Sequence, residues 1–194
     1  MLNVEYWWPQ PIWFDTLTGL DFHGMSDRCL EMEKQSPGVI ISNDGGWQSD
    51  PIDISGAPDF KNLYDAIMSK SQELSVSQGD HFQLHMNAAW FNINRGRDRN
   101  RPHVHPFAQI SGVVYLKASR DSGSIEFFRP DCQKHYYNGY TVPWNHALSG
   151  ASIRYQAEIG KIVMFPAWLE HGVTESNDDQ ARISLAFNLV AVSR

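Results

Sequence analysis

The sharpest hydrophobic pattern lies at the end of the chain. From Arg182, the residues Arg182, Ser184, Ala186 and Asn188 fall on one face of a strand, and Ile183, Leu185, Phe187 and Leu189 on the other, the two-residue repeat of a half-buried strand. A second run, 108–117, alternates in the same way. Counted from His103, one face carries His105, Phe107, Gln109, Ser111, Val113 and Tyr115, and the other Ile110, Gly112, Val114 and Leu116. Shorter strands are expected at 124–128, 152–158, 161–165 and 170–174, set off by turn residues such as Asp121-Ser-Gly123. Residues 82–94 alternate imperfectly. Residues 95–101 read as a basic loop, and 129–151 as a long Tyr-rich irregular stretch.

Upstream the period changes. Leu63, Ala66, Ile67 and Leu74 follow a helical spacing across 60–77, with Asp59 as the expected cap. A shorter helix is expected over 27–35, capped by Ser26 and ended by Pro37. Residues 38–42 read as extended and 43–50 as turns around Trp47, which is expected in the core with Gln48 and Ser49 at a pocket rim. The aromatic residues of 1–14 imply a docked edge segment, because a free tail would leave them wet. Short strands after a helical region predict a mainly β chain, a sandwich or barrel with N-terminal helices packed on the outside. No linker or repeat is visible, so 1–194 is expected to be one domain: a helical and edge region at 1–80 and a β core at 81–194.

Composition narrows the function classes. Hydrophobic residues are 42% and charged residues 20%, enough apolar surface for a core and too little charge for a disordered chain. A net charge of −6 argues against a general nucleic-acid binder. Cys29 and Cys132 are too few for a disulfide framework. Neither a signal peptide nor a membrane-length apolar run is visible. The expectation is a soluble protein of a reducing, cytoplasmic compartment, and a homodimer is compatible with it.

The chemistry-bearing residues cluster on the β pattern. His103 and His105, at i and i+2, share a face of an extended chain, and His171 follows another strand-like run. Three neutral imidazoles can fill one face of a metal's coordination sphere and leave positions open. An His-x-His pair alone is weak; the distal His171 and the arginine eleven residues later strengthen it. Arg182 on a polar strand face is either solvated or paired with an anion, for which a bidentate carboxylate is the natural partner. His23, His81 and His85 lack this context; His135 and His146, in the long loop, are secondary candidates for substrate contact.

Taken together, Gly45-Gly-Trp-Gln-Ser49, Trp90-Phe-Asn-Ile-Asn94, His103-Val-His-Pro106, Ser111-Gly-Val-Val-Tyr-Leu116, Phe165-Pro166, His171-Gly-Val173 and Arg182-Ile-Ser-Leu-Ala-Phe-Asn188 resemble the Fe(II)- and 2-oxoglutarate-dependent oxygenases, in a bacterial and phage-type subfamily. The resemblance implies a double-stranded β-helix, or jelly roll. It matches His103 and His171 to the two histidine ligands, and places His105 where most of the superfamily has a carboxylate. His105 is expected to ligate; the alternative is a water or chloride in that position. Arg182 matches the residue that pairs with the far carboxylate of 2-oxoglutarate, with Ser184 or Tyr115 adding a hydroxyl, Asn92 and Asn94 as hydrogen-bond donors, and Asn188 toward the metal end.

The reaction so implied uses Fe(II), 2-oxoglutarate and O₂ to hydroxylate a C–H bond of a small-molecule or peptide substrate, releasing succinate and CO₂. Two other readings use the same histidines: a non-catalytic, cupin-like ligand-binding jelly roll, and a three-histidine dioxygenase that needs no 2-oxoglutarate. Arg182 separates them, because an inward arginine with no anion to hold is costly to bury. Arg95, Arg97, Arg99 and Arg101 either favour an anionic substrate or form a solvated loop balancing the net charge.

Overall fold

The computed structural model describes residues 10–131, 150–177 and 179–193. Eleven strands and two helices follow one another along these segments: β1 (Trp13–Thr16), α1 (Phe22–Gln35), β2 (Asn43–Asp44), β3 (Trp47–Gln48), α2 (Lys61–Ser77), β4 (Phe82–Asn94), β5 (Arg99–His103), β6 (Ile110–Lys117), β7 (Ser124–Phe128), β8 (Ser152–Gln156), β9 (Lys161–Pro166), β10 (His171–Val173) and β11 (Arg182–Ser193). They form a six-stranded sheet, β1-β9-β6-β11-β4-β3, and a five-stranded sheet, β2-β5-β10-β7-β8. All pairings are antiparallel. The chain is mainly β, of the jelly-roll type.

The alternation in β11 and β6 sorts the core into two layers. Ile183, Leu185, Phe187 and Leu189, with Val114 and Leu116, pack under Met25 and Cys29 of α1 and Leu63, Ile67 and Leu74 of α2. Val113, Tyr115, Val163 and Phe165 point the other way and meet Ile125 and Phe127 of the five-stranded sheet. Each buried Leu, Ile, Val or Phe side chain contributes about 1.5–3 kcal/mol, so the six-stranded sheet is held from both faces. Trp47 belongs to the helical side of this core and donates its indole N–H to the Ser36 carbonyl at 2.9 Å.

Several local details differ from the sequence expectation. Helix α1 begins earlier than 27: Asp21 is its cap, accepting from the Gly24 N–H at 2.9 Å. Ser26 lies inside the helix and donates to the Phe22 carbonyl, as a mid-helix serine commonly does. Asp59 caps nothing; α2 starts without a side-chain cap, and Asp59 faces Arg28 at 3.4 Å. Part of the expected basic loop is strand β5, paired with β2 and β10. The run from His103 is not one strand. β5 ends at His103, the chain crosses from one sheet to the other through 104–109, and β6 starts at Ile110. Phe107 has φ 68° and is 92% exposed, so it leaves the inward face on which alternation placed it. Most of the 129–151 stretch, with His135 and His146, lies outside the described residues, as do Cys132 and residues 1–9. Among the described residues no helix is long and apolar enough to cross a membrane.

Candidate metal and co-substrate site

Two backbone features bring the histidines together. His171 on β10 is the direct cross-strand partner of His103 on β5. His105 follows two residues later, and its N–H donates to the Ala167 carbonyl at 2.9 Å, which ties the crossing segment to the turn before β10. The three rings stack edge and face within 4.5–5.0 Å of each other. Their candidate ligand atoms lie within 4.8 Å of one another.

The ring nitrogens are assigned by their neighbours. His103 Nδ1 lies 2.7 Å from the Arg101 carbonyl, and His171 Nδ1 lies 2.8 Å from the Leu169 carbonyl. A carbonyl only accepts, so both Nδ1 atoms carry the proton and both Nε2 atoms present lone pairs. This outer anchoring of imidazoles is the arrangement found around metal ions. The Nε2 atoms of His105 and His171 are 3.2 Å apart. Two nitrogens bound at right angles to one ion at about 2.1 Å would lie about 3.0 Å apart, so the spacing suits a shared cation. Burial lowers the pKa of all three. His105 is pushed down to about 4 by burial and by His103, and His171 to about 3 by burial, then by His103. At neutral pH the cluster is three uncharged donors, the state a metal requires. Trp90 lies against His105 and Phe165 against His171, with centroids at 5.6 and 4.5 Å.

A cavity between the sheets runs from this cluster to Arg182. Cross-strand register builds its floor. Arg182 pairs with Asn94, Ser184 with both Asn92 and Tyr115, and Ala186 with Trp90 and Val113. All of these side chains line the same cavity as the three histidines. Arg182 is 2% exposed. Among the described residues it donates one hydrogen bond, from Nη1 to the Ser122 carbonyl at 2.6 Å, and forms no ion pair. Burial lowers its pKa, with Tyr115 and Asp98 partly offsetting the effect. Burial likewise raises the Tyr115 hydroxyl to about 12, so it remains a proton donor. Asn92 Oδ1 is buried with no hydrogen-bond partner. Among the described residues no Asp or Glu lines this cavity. An unpaired buried guanidinium and an orphaned amide oxygen are both costly, and a bound polar anion relieves them. The donor set therefore fits a divalent cation and a carboxylate ligand together.

Asn188 stands apart. Its Oδ1 accepts from the Ser111 hydroxyl at 2.7 Å, and it does not line the cavity. The basic loop is largely spent on ion pairs. Arg95 is bidentate on Glu33, Arg97 faces Glu175, and Arg99 faces Asp44 and Glu175. The sequence reading assigned no site role to Trp90, Phe165 or Ser122. Trp90 shares strand parity with Asn92 and Asn94, a signal that was present; the Ser122 contact depends on a turn far away in sequence and had none.

With this geometry in place, comparison decides the family. A family model described as "Putative 2OG-Fe(II) oxygenase" matches residues 88–188, just over half of the chain. The chain belongs to the 2OG-Fe(II) oxygenase family. It is an enzyme whose cofactors are Fe(II) and 2-oxoglutarate, with O₂ as co-substrate. A search of curated proteins finds no match. Among solved structures, the fold of this oxygenase is shared by a Pseudomonas putida prolyl-4-hydroxylase at 18% identity and TM-score 0.63, covering 93% of this chain and 92% of that one. It is shared by the carbocyclase SnoK of nogalamycin biosynthesis at 11% identity and TM-score 0.67, covering 95% and 82%. HygX from Streptomyces hygroscopicus, solved with nickel and 2-oxoglutarate, matches at 12% identity and TM-score 0.58, covering 93% and 82%.

Proposed function

We propose that His103, His105 and His171 hold the iron, that Arg182 holds the far carboxylate of 2-oxoglutarate, and that the enzyme hydroxylates a C–H bond of an organic substrate. The observation that carries this reading is Arg182: a buried guanidinium with no carboxylate partner, in the same cavity as three converging imidazoles. When bound, iron and 2-oxoglutarate reduce O₂ so that one oxygen atom enters the substrate and the other enters succinate, with loss of CO₂.

The chain's own residues bind, orient and exclude water. Arg182 offers a planar pair of donors to a carboxylate, while its third contact on Ser122 fixes the plane of the guanidinium. The Tyr115 and Ser184 hydroxyls stand in one cross-strand row beside it and can add hydrogen bonds to the same carboxylate. The orphaned Asn92 and neighbouring Asn94 supply amides along the body of the co-substrate. The Arg101 and Leu169 carbonyls hold two imidazoles in one tautomer, so their Nε2 atoms need no proton rearrangement to ligate. Phe127, Phe165 and Trp90 wall the histidines and keep the local dielectric low. In that setting each charged hydrogen bond to the co-substrate is worth roughly 1.5–3 kcal/mol.

The reading that needs no 2-oxoglutarate is disfavoured by the same arginine. Its burial would be uncompensated without an anion. The test is to add Fe(II) and 2-oxoglutarate without O₂, look for the weak visible charge-transfer band of the complex, then admit air and assay succinate. The proposal expects both. A protein that binds Fe(II) yet gives neither band nor succinate would overturn it.

A further inference from the structure

A second cavity, of about 540 Å³, opens beside the histidines and is lined by Ile41, Gln48, Ala88, Trp90, Val104 and Pro106 among others. It shares Ser42, Trp90, His103 and His105 with the inner cavity. Its size is that of a small-molecule pocket, and its walls are mostly apolar. One polar side chain is out of place there. Gln48 is 5% exposed, and its side-chain amide forms no hydrogen bond with any described residue. Its backbone carbonyl is already used by Val39.

Register says where the amide faces. Gln48 is the cross-strand partner of Asn92, and Trp47 that of Ile93. Trp47 and Ile93 go to the helical core. Gln48 therefore extends the inward row Tyr115–Ser184–Asn92 by one strand, toward the open groove. Gln48 is nearly buried, yet its amide atoms are open to the groove, so water meets the unused donor and acceptor there, and a ligand that displaces this water must supply the matching pair.

Charge in the groove is sparse. Arg95, Arg97 and Arg99 are spent on Glu33, Glu175 and Asp44. Arg101 is exposed and donates to the Ile41 carbonyl at 3.1 Å. Among the described residues, Arg101 is the one Lys, Arg, Asp or Glu that lines the pocket, and it is exposed, so no buried charge there selects an anion. Resting on the oxygenase reading above, we infer that this groove is the substrate pocket, that Gln48 is its positioning residue, and that the substrate is a neutral, largely apolar molecule bearing an amide that pairs with Gln48.

The experiment uses the full chain loaded with Zn(II) and 2-oxoglutarate and labelled with ¹⁵N, the Gln48 side-chain NH₂ signal being assigned by its loss in Gln48→Leu. Three probes of similar shape are titrated: N-benzylacetamide, benzyl acetate, which lacks the N–H, and phenylacetate, which is charged. N-Benzylacetamide should shift the Gln48 signal and bind about five- to tenfold tighter than the other two, the worth of one added neutral hydrogen bond or slightly more. Gln48→Leu should remove that preference while the rest of the spectrum stays native. A Gln48 signal unmoved by the amide, a preference for phenylacetate, or a preference that survives Gln48→Leu would each overturn the inference. The Asn92 and Asn94 side-chain signals, followed during the preceding 2-oxoglutarate addition, report separately on the inner cavity. If they stay still, the co-substrate assignment fails whatever Gln48 does.

Discussion

Replacing Arg182 by methionine should weaken co-substrate binding strongly while changing apo stability little. Arg182 is 2% exposed and donates one hydrogen bond, to the Ser122 carbonyl. Removing such a charge in favour of an apolar side chain of similar volume is worth roughly 1–4 kcal/mol of stability. Leaving the Ser122 carbonyl without its donor costs roughly 1–3 kcal/mol. The net for the apo protein lies between about −2 and +3 kcal/mol, centred close to zero, and at 2–4 °C per kcal/mol for a domain of this size the melting temperature should stay within a few degrees of the wild type. Binding of 2-oxoglutarate loses a buried, charge-paired contact, about 2–5 kcal/mol, a fall of about thirtyfold to several thousandfold. Calorimetric titration of 2-oxoglutarate into the Zn(II)-loaded proteins gives the affinity. Thermal unfolding with and without 2-oxoglutarate gives the rest: at a hundred times the wild-type Kd the wild type gains about 2.7 kcal/mol, and Arg182→Met at the same concentration gains about 0.9 kcal/mol or less. A variant that melts several degrees lower yet keeps its 2-oxoglutarate affinity within threefold would refute the reasoning, because Arg182 would then be a structural residue.

Four further outcomes follow from the same geometry. Alanine at His103, His105 or His171 should each weaken Ni(II) binding by more than about a hundredfold, beyond the usual effect of outer-sphere changes, while the exposed His85→Ala leaves the titration unchanged. The apo protein should lose stability as pH falls from 6.5 toward about 4, because an unfolded imidazole takes a proton in that window and folded His105 does not; denaturant curves for His105→Gln should show a shallower loss, and equal slopes would contradict the assignment. Gly123→Ala forces a side chain onto φ 79° and places a Cβ 2.9 Å from Arg182 Nη1, so thermal unfolding should show a loss of about 1–3 kcal/mol and titration a weaker 2-oxoglutarate complex. Arg97→Gln with Arg99→Gln breaks only exposed pairs worth about 0–1 kcal/mol each, so succinate formation should stay within about twofold.

The parts legible in the sequence are those in which one strand face is apolar and the other is not. β11 and the second half of β6 were readable because their odd and even positions meet different partners, helices on one side and a cavity on the other. The pairing of Arg182 with Asn94 and of Ser184 with Asn92 and Tyr115 could not be read, since register depends on how two distant strands slide past each other. The crossing at 104–109 was hidden for a different reason. His105 and Ser111 are an even offset apart, so parity survives the change of sheet, and only the left-handed, exposed Phe107 betrays it. Helix caps failed because Ser26 and Asp59 have the right chemistry in the wrong place: a cap is whichever residue leaves helical geometry first, and for α1 that is Asp21. The first part of β5, 99–101, reads as loop because its arginines look solvated; its partners β2 and β10 are far away in sequence.

Charge ties the two halves of the proposed site together. With a histidine at 105, the proposed donor set carries no charge at neutral pH, and among the described residues no Asp or Glu lines the inner cavity. Among the described residues lining that cavity, Arg182 is then the one fixed charge, and it is positive. A cation entering alone meets repulsion from Arg182 in a poorly screened space. A dianion entering alone meets one guanidinium. Entering together, each lowers the electrostatic cost of the other, and linkage makes that benefit equal in both directions. A carboxylate at 105 would have favoured the cation by itself and diluted this coupling. If the proposed ligand set holds, the imidazole at that position sets more than a coordination number: cation affinity should depend on the co-substrate, and metal titrations with and without 2-oxoglutarate should differ more here than in a His105→Asp variant.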